Sequence, residues 1–429
     1  MTPALATLKQ HLSRREFTLL MSMTMASAAL AIDMMLPAFP QMREDFGLTA
    51  DSNTVALVVT AFFVGLGLGQ PVWGPLSDAI GRKPVLWTGL AIYGFSALAA
   101  VISPNLTVLL VLRVLGGFGA ASLRVVAQSV IRDAFVGTEM AKVLSYIMAV
   151  FILVPILAPT IGAAILATGS SWHGIFAFLS VFAALLGVWL TRLPETLPGE
   201  RRMPLRWLSL GRAFRAVLSN GFVMSLTAAQ AAGFGFFTSY LATSEIIVTD
   251  VLDLQPWFPV IFGASAAMLG VGMLTNPRLL DLWGLRAVLR LGVFCYVTTL
   301  GLFAAVALAF DGRPPLVAYL LVLALILVSQ ALTIPNLNSA AMIPMGRMAG
   351  TAAAVIGSIA TLVGALVGTF VSASFDGTLR PLAATGIVAG LVCLGCWRFA
   401  DRRWDRAAGV EDVAAPDESA VAAADTSLA

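Results

Sequence analysis

Charge is scarce in this chain: of its 429 residues only 11% are Asp, Glu, Lys or Arg, against about 25% in soluble proteins. A water-facing surface cannot be assembled from so few, which excludes an ordinary soluble globular class. Histidine is rarer still, His11 and His173 being the only two, so a His-based metal centre is excluded. The three cysteines, Cys295, Cys393 and Cys396, all lie in apolar stretches, where a thiol behaves as a small hydrophobe. Cys393 and Cys396 are therefore a CxxC pair in spacing alone, and no redox or metal role is expected. No His/Asp cluster or nucleophile beside a base appears, so the chain is not expected to be an enzyme and needs no cofactor. A net charge of +3, from 26 basic and 23 acidic residues, implies no nucleic-acid surface.

What the sequence has in abundance is apolar length. Hydrophobic residues make up 59% of it, and a mean hydropathy of +0.90 calls for lipid as the solvent. Runs of about 20 apolar residues, each long enough to cross about 30 Å of hydrocarbon as a helix, recur from end to end. Twelve are expected, over 17–38, 52–73, 84–102, 107–130, 141–167, 174–191, 219–243, 255–275, 287–309, 316–335, 349–372 and 381–398.

The first run follows Arg14 and Arg15 and contains Ala29-Leu30-Ala31, so it has the outline of a signal peptide. Loop charges argue that it is kept. With it in place and the N-terminus inside, twenty-one Lys and Arg fall in cytoplasmic loops and three, Arg43, Arg313 and Arg380, fall outside. Both termini are then cytoplasmic. The longest polar connection, 193–218, carries Pro194, Pro198, Gly199 and Pro204 among several arginines and divides the spans six and six. Residues 1–192 and 219–400 are thus two six-helix halves joined by a cytoplasmic linker. The segment 401–429, rich in Ala, Asp and Glu without an apolar face, is expected to be a disordered cytoplasmic tail.

The halves repeat a loop. After span two the chain reads Gly74-Pro-Leu-Ser-Asp78-Ala-Ile-Gly81-Arg82-Lys83-Pro84, and after span eight Asp281-Leu-Trp-Gly284-Leu-Arg286, each with an acid three residues before a glycine and an arginine following. Small residues permit tight turns and close approach, Asp78 can cap a helix N-terminus, and Arg82 can pair with an acid such as Asp133.

These residues resemble the major facilitator superfamily, specifically its drug:proton antiporters of the bicyclomycin and chloramphenicol resistance type. Gly74 to Pro84 matches the superfamily signature G-x-L-S-D-x-x-G-R-[RK]-x in full, and Asp33 to Pro40, Leu112 to Gly117, Arg132-Asp133 and Leu193 to Thr196 look like this subfamily. The resemblance covers Asp33 to Arg398. It implies two parallel six-helix halves, a small-molecule substrate, a lipid bilayer as surroundings, a bacterial inner membrane, the proton as coupling ion and a monomer. It also implies that Gly74, Asp78, Gly81, Arg82, Lys83 and Asp133 form a conformational latch between halves at the cytoplasmic face. Span five resembles the antiporter signature G-x-x-x-G-P-x-x-G-G, with Pro159 and Gly162 in place and Val154, Ala158 and Ala163 replacing glycines. Pro155 and Pro159 free carbonyls and bend the helix, and the small residues let the two halves pack closely.

Two ionisable residues stand deep in spans that line the family's central cavity. Asp33 lies about 10 Å and Arg113 about 12 Å from the outer helix ends. An acid and a base at equal depth are natural partners, so Asp33 is expected to bind the coupling proton and Arg113 to pair with it. Arg124 falls about 20° off the face of Arg113, with Gly117 and Ala120 between. It either lines the inner cavity or snorkels to the cytoplasmic surface. In spans seven and ten, Phe234, Phe237, Gln330 and Asn338 offer aromatic and amide groups suited to a substrate cavity, and the family resemblance of their segments implies Tyr240 and Asn336 as its residues. The expected function is export of small drug-like molecules by alternating access. A sugar, amino acid or endogenous metabolite exporter is the alternative, and a non-transporting sensor the second.

Overall fold

The computed structural model describes residues 12–49, 52–135, 137–202, 204–205, 207–407 and 409. Among them the regular structure is helical. The first half holds α1 (Arg14–Asp33), the short α2 (Phe39–Asp45), α3 (Leu57–Ile80), α4 (Arg82–Ala100), α5 (Leu106–Ala134), α6 (Gly137–Ala167) and α7 (His173–Leu190). The second holds α8 (Trp207–Ser219), α9 (Gly221–Ile246), α10 (Phe258–Ala309), α11 (Leu316–Ala341), α12 (Ala349–Ala373) and α13 (Arg380–Asp401). Ten stretches of the described residues are long and apolar enough to cross a membrane. One of these contains α10, which is broken at Gly284 and supplies two crossings, while the 19-residue α4 supplies another. Twelve crossings result among the described residues, as the hydrophobic runs imply.

The duplicated loop reappears as duplicated backbone. Gly81 takes φ 110°, ψ 159° and Gly284 takes φ 73°, ψ 164°, a region that side-chain-bearing residues rarely adopt. At both points a descending helix ends and the next begins without an intervening loop. The linker is more ordered than its prolines and arginines suggest. Residues 207–219 form α8, which packs on α9 and α12 through buried Ala213 and Val217. Of the expected disordered tail, Trp404–Ala407 continue as a helical turn, and residues 410–429 lie outside the described residues.

Within each half, helices approach until backbone meets backbone. A methyl group at Gly117 of α5 would fall 2.0 Å from the Phe62 carbonyl oxygen of α3, and one at Gly65 would fall 1.9 Å from the Val114 oxygen. Lipid tails are as apolar as the helices they surround, so such close van der Waals contact is what holds the bundle together.

The two halves meet along α3 with α12 and α6 with α10. On the first seam Ser358 donates to the Gly67 carbonyl (2.7 Å) and Gln70 to Thr361 (3.1 Å). On the second, Gly263 and Gly270 of α10 let Ile156 and Ile152 of α6 lie close. Gly162 of α6, expected at this seam, instead packs inside the first half, where its α-carbon backs onto the Met34 carbonyl.

Gly117→Ala is expected to force α3 and α5 apart at a cost of about 1–3 kcal/mol. Gly301→Ala, in open space, should leave the protein as stable or slightly more so. Equal midpoints for both variants in detergent thermal unfolding would refute the packing argument.

Candidate functional site

Asp33 is the last residue of α1, and the helix stops there for a covalent reason. Pro37 has no N–H to return to the Asp33 carbonyl, and Met34 and Met35 turn into a 3₁₀ segment, Leu36–Ala38. The carboxyl group is thus buried at a helix break, 4% exposed. Gly162 backs this break directly, which gives the small residue of α6 a defined task.

Arg113 is equally buried but does not pair with Asp33. Among the described residues no ion pair joins them. The guanidinium instead donates to two main-chain carbonyls, Nε to Val58 (3.1 Å) and Nη2 to Ala31 (3.1 Å), and stacks over Phe62 with its carbon 4.3 Å from the ring centroid. The pairing expected from equal depth fails because depth fixes only one coordinate. Arg113 clamps α1 to α3 just before the break and so positions Asp33 without neutralising it.

Tyr240 of α9, in the second half, is buried and within electrostatic range of Asp33. Its ring stacks parallel on Phe262, centroids 6.1 Å apart. Tyr240 and Asp33, one from each half, are therefore electrostatically coupled. Asn336 does not join them. Its amide exchanges hydrogen bonds with Asn276 (2.7 and 3.3 Å) and donates to Leu332, which ties α11 to α10 and leaves no free donor.

Of the free amide groups, the sequence reading placed Gln330 among the cavity candidates and missed Gln230. Gln330 donates to the Gly233 carbonyl (2.8 Å), which fixes its amide orientation and leaves Oε1 buried without a partner. Gln230 likewise has an unpartnered Oε1, and nearby Phe234 and Phe237 are partly exposed. A glutamine inside an apolar helix was the available signal. Arg124 is exposed while Gly117 and Ala120 are packed against neighbouring helices. The stripe from Arg113 to Arg124 is consequently not one continuous wall.

The signature loop folds as a cluster within the first half. Arg82 bonds Asp133 (2.9 Å), Asp78 (2.5 Å) and Ser77 (2.7 Å). Asp78 thus pairs with Arg82 and does not cap a helix. The cap on α4 comes from Glu195, whose carboxylate accepts from the Arg82, Lys83 and Leu197 amides at 2.9, 3.0 and 2.9 Å. Lys83 reaches the Thr191 carbonyl and Thr196 reaches Asp133. Among the described residues no partner of this cluster belongs to the second half, so in this conformation it does not join the halves there. Its counterpart behaves alike, with Arg286 bonding Asp401 and Asp405 of the same half. At the opposite end an ion pair does cross: Arg43 to Glu245, 2.6 Å, both buried.

The sequence profile of the Major Facilitator Superfamily matches residues 21–369. The chain belongs to this superfamily. Its members are transporters, and the enzyme class is thereby set aside. The chain is 28% identical to an uncharacterized MFS-type transporter, YdgK, of Bacillus subtilis over 88% of this chain and 94% of the relative. It is 27% identical to a bicyclomycin resistance protein homolog of Haemophilus influenzae, over 82% and 88%, and 28% identical to a chloramphenicol resistance protein of Pseudomonas aeruginosa, over 86% and 87%. The human organic anion transporter MFSD10 has a similar fold, with TM-score 0.69 at 20% identity over 91% of this chain and 100% of that one.

Glu195→Ala removes the acceptor of three amides and is expected to lower stability by about 1–3 kcal/mol. The exposed Glu200→Ala should change nothing measurable. Equal unfolding midpoints for the two variants in lipid nanodiscs would contradict the capping assignment.

Proposed function

We propose that the chain is a proton-coupled exporter of small drug-like molecules that works by alternating access between its two halves. The observation that carries this reading is Asp33, an acid buried at a helix break, within electrostatic range of Tyr240 of the other half and with no cationic partner among the described residues. A carboxyl group in that setting can exchange a proton, and its charge state acts on both halves. Arg113 is the positioning residue that holds the break. The resistance proteins among the relatives support a drug-like substrate.

The Arg82 end carries the mass of loop arginines and is assigned to the cytoplasm, with both termini, in a bacterial inner membrane. With the halves joined at the Arg43 end and no ion pair joining them at the Arg82 end among the described residues, the conformation faces inward. Phe234, Phe237 and Tyr240 offer aromatic surface, and the free carbonyls of Gln230 and Gln330 can accept hydrogen bonds from a ligand. Those two acceptors also suit a hydroxyl-bearing endogenous metabolite, the second reading. The Gly74 to Lys83 loop, with Asp133, keeps a conformational role by stiffening the first half so that it rocks as a body.

Asp33→Asn in proteoliposomes is expected to lose pH-gradient-driven chloramphenicol transport by at least about tenfold. Arg113→Lys, which cannot reach both carbonyls in the same plane, should lose part of it. Gradient-driven transport by Asp33→Asn at the wild-type rate would sink the proton assignment.

A further inference from the structure

Glu245 lies in the last turn of α9, five residues beyond Tyr240, and its setting is unusual. Oε2 accepts from Arg43 Nη2 at 2.6 Å and Oε1 accepts from Thr249 at 3.0 Å. Arg43 in turn donates Nε to the Ser52 carbonyl at 2.9 Å. Both side chains of the pair are about 95% or more buried, at 5% and 2% exposure. Among the described residues this is the one ion pair that joins the two halves, since every other pair closes within a half. Ser372, donating to the Asn53 carbonyl at 3.1 Å, seals the same end across the α3 and α12 seam.

Glu245 also lines a cleft of about 340 Å³ between the halves. Pro37, Pro40 and Ala163 form one wall, and Thr249, Gln255 and Pro256 belong to the other. The cleft lies at the Arg43 end, and its lining includes Glu245 but not Asp33.

The charged groups facing Glu245 are few. Arg43 comes from α2, and Asp250, one turn along from Glu245 itself, adds a like charge close by. Glu44 is exposed, and Asp45 accepts from the Trp172 indole (2.6 Å). The cleft residues of α6 and α10 carry no charge.

We propose that Glu245 is a second proton-binding site, at the outer face, and that its protonation opens the outer gate formed with Arg43. This rests on the reading of the chain as a proton-coupled exporter. A proton taken from the outer cleft onto Glu245 Oε2 removes the acceptor charge of the Arg43 bond, and Arg43 keeps all its own protons. The guanidinium is then a buried cation without a counter-charge, which favours whichever conformation gives it water. Opening the seam at this end does so. External acid thereby biases the chain toward the state that releases substrate outward.

The test uses the full chain in nanodiscs, with Cys295, Cys393 and Cys396 replaced by alanine and spin labels at Glu44→Cys and Trp257→Cys, one exposed position on each half. Electron–electron distances are expected to be short near pH 7.5 and to gain a longer population, larger by on the order of tenfold, near pH 5.5. In E245Q the long population should dominate at both pH values, and E245D should keep the switch. R43Q should invert it, because a lone buried carboxylate favours opening at high pH and becomes neutral at low pH. An E245Q chain that stays closed at both pH values, or that still responds to acid, overturns the proposal, as does an R43Q chain with the wild-type direction. Asp33→Asn in the same labelled chain separates the two readings. If it abolishes the response while E245Q retains it, the gate assignment fails and the Asp33 reading stands. If E245Q opens as expected while Asp33→Asn transports normally, the gate stands and the Asp33 reading fails.

Discussion

Hydrocarbon offers no hydrogen bonds, and the positions of polar side chains in this protein follow from that constraint. Most hydroxyls inside the spans return to their own helix, as Thr24 does to the Leu20 carbonyl and Thr243 to Ser239. Larger groups need a second helix. Arg113 is satisfied by carbonyls of α1 and α3, and Asn336 by Asn276. Each such bond fixes a helix pair, so the polar minority of the sequence determines which apolar faces meet. The groups left over can do something else: Asp33 at a helix break, and the amide oxygens of Gln230 and Gln330.

The two ends of the bundle are held in opposite ways. At the Arg82 end the ion pairs stay within a half: Arg82 with Asp133 and Asp78, Arg286 with Asp401. They stiffen each half and leave the halves free to separate. At the Arg43 end the pair crosses between halves and closes them. A conformational cycle that opens one end while closing the other needs rigid bodies and a breakable joint, and these two arrangements supply one each.

Much of this was legible in the residues. Span number follows from hydrophobic run length, and the kinship of the loops after spans two and eight is confirmed by the matching positive φ at Gly81 and Gly284. Partner choice was not legible. Asp33 and Arg113 share a depth, but Arg113 turns toward carbonyls that no sequence pattern marks. Asp78 has the chemistry of a cap, yet Glu195, more than a hundred residues along the chain, takes that place. Arg43 reads as an ordinary outer-loop charge and Glu245 falls just past the end of span seven, and nothing in either segment points to the other. The helix in 207–219 was obscured by the prolines and arginines that precede it.

On the proposed reading, Arg113 matters to proton exchange without touching the proton. Had it paired with Asp33, the charge would have been neutralised in place and the acid held ionised throughout the cycle. By gripping the Ala31 carbonyl two residues earlier, it keeps α1 rigid up to the break and leaves the carboxyl group unpaired. Gly162 holds the far side of the break against α6, so Asp33 is fixed from both flanks within the first half. Tyr240 belongs to the second half. Movement of one half against the other would therefore change the surroundings of Asp33 while its own backbone stays still, and that is the coupling the proposed antiport needs between proton occupancy and the direction in which the chain opens.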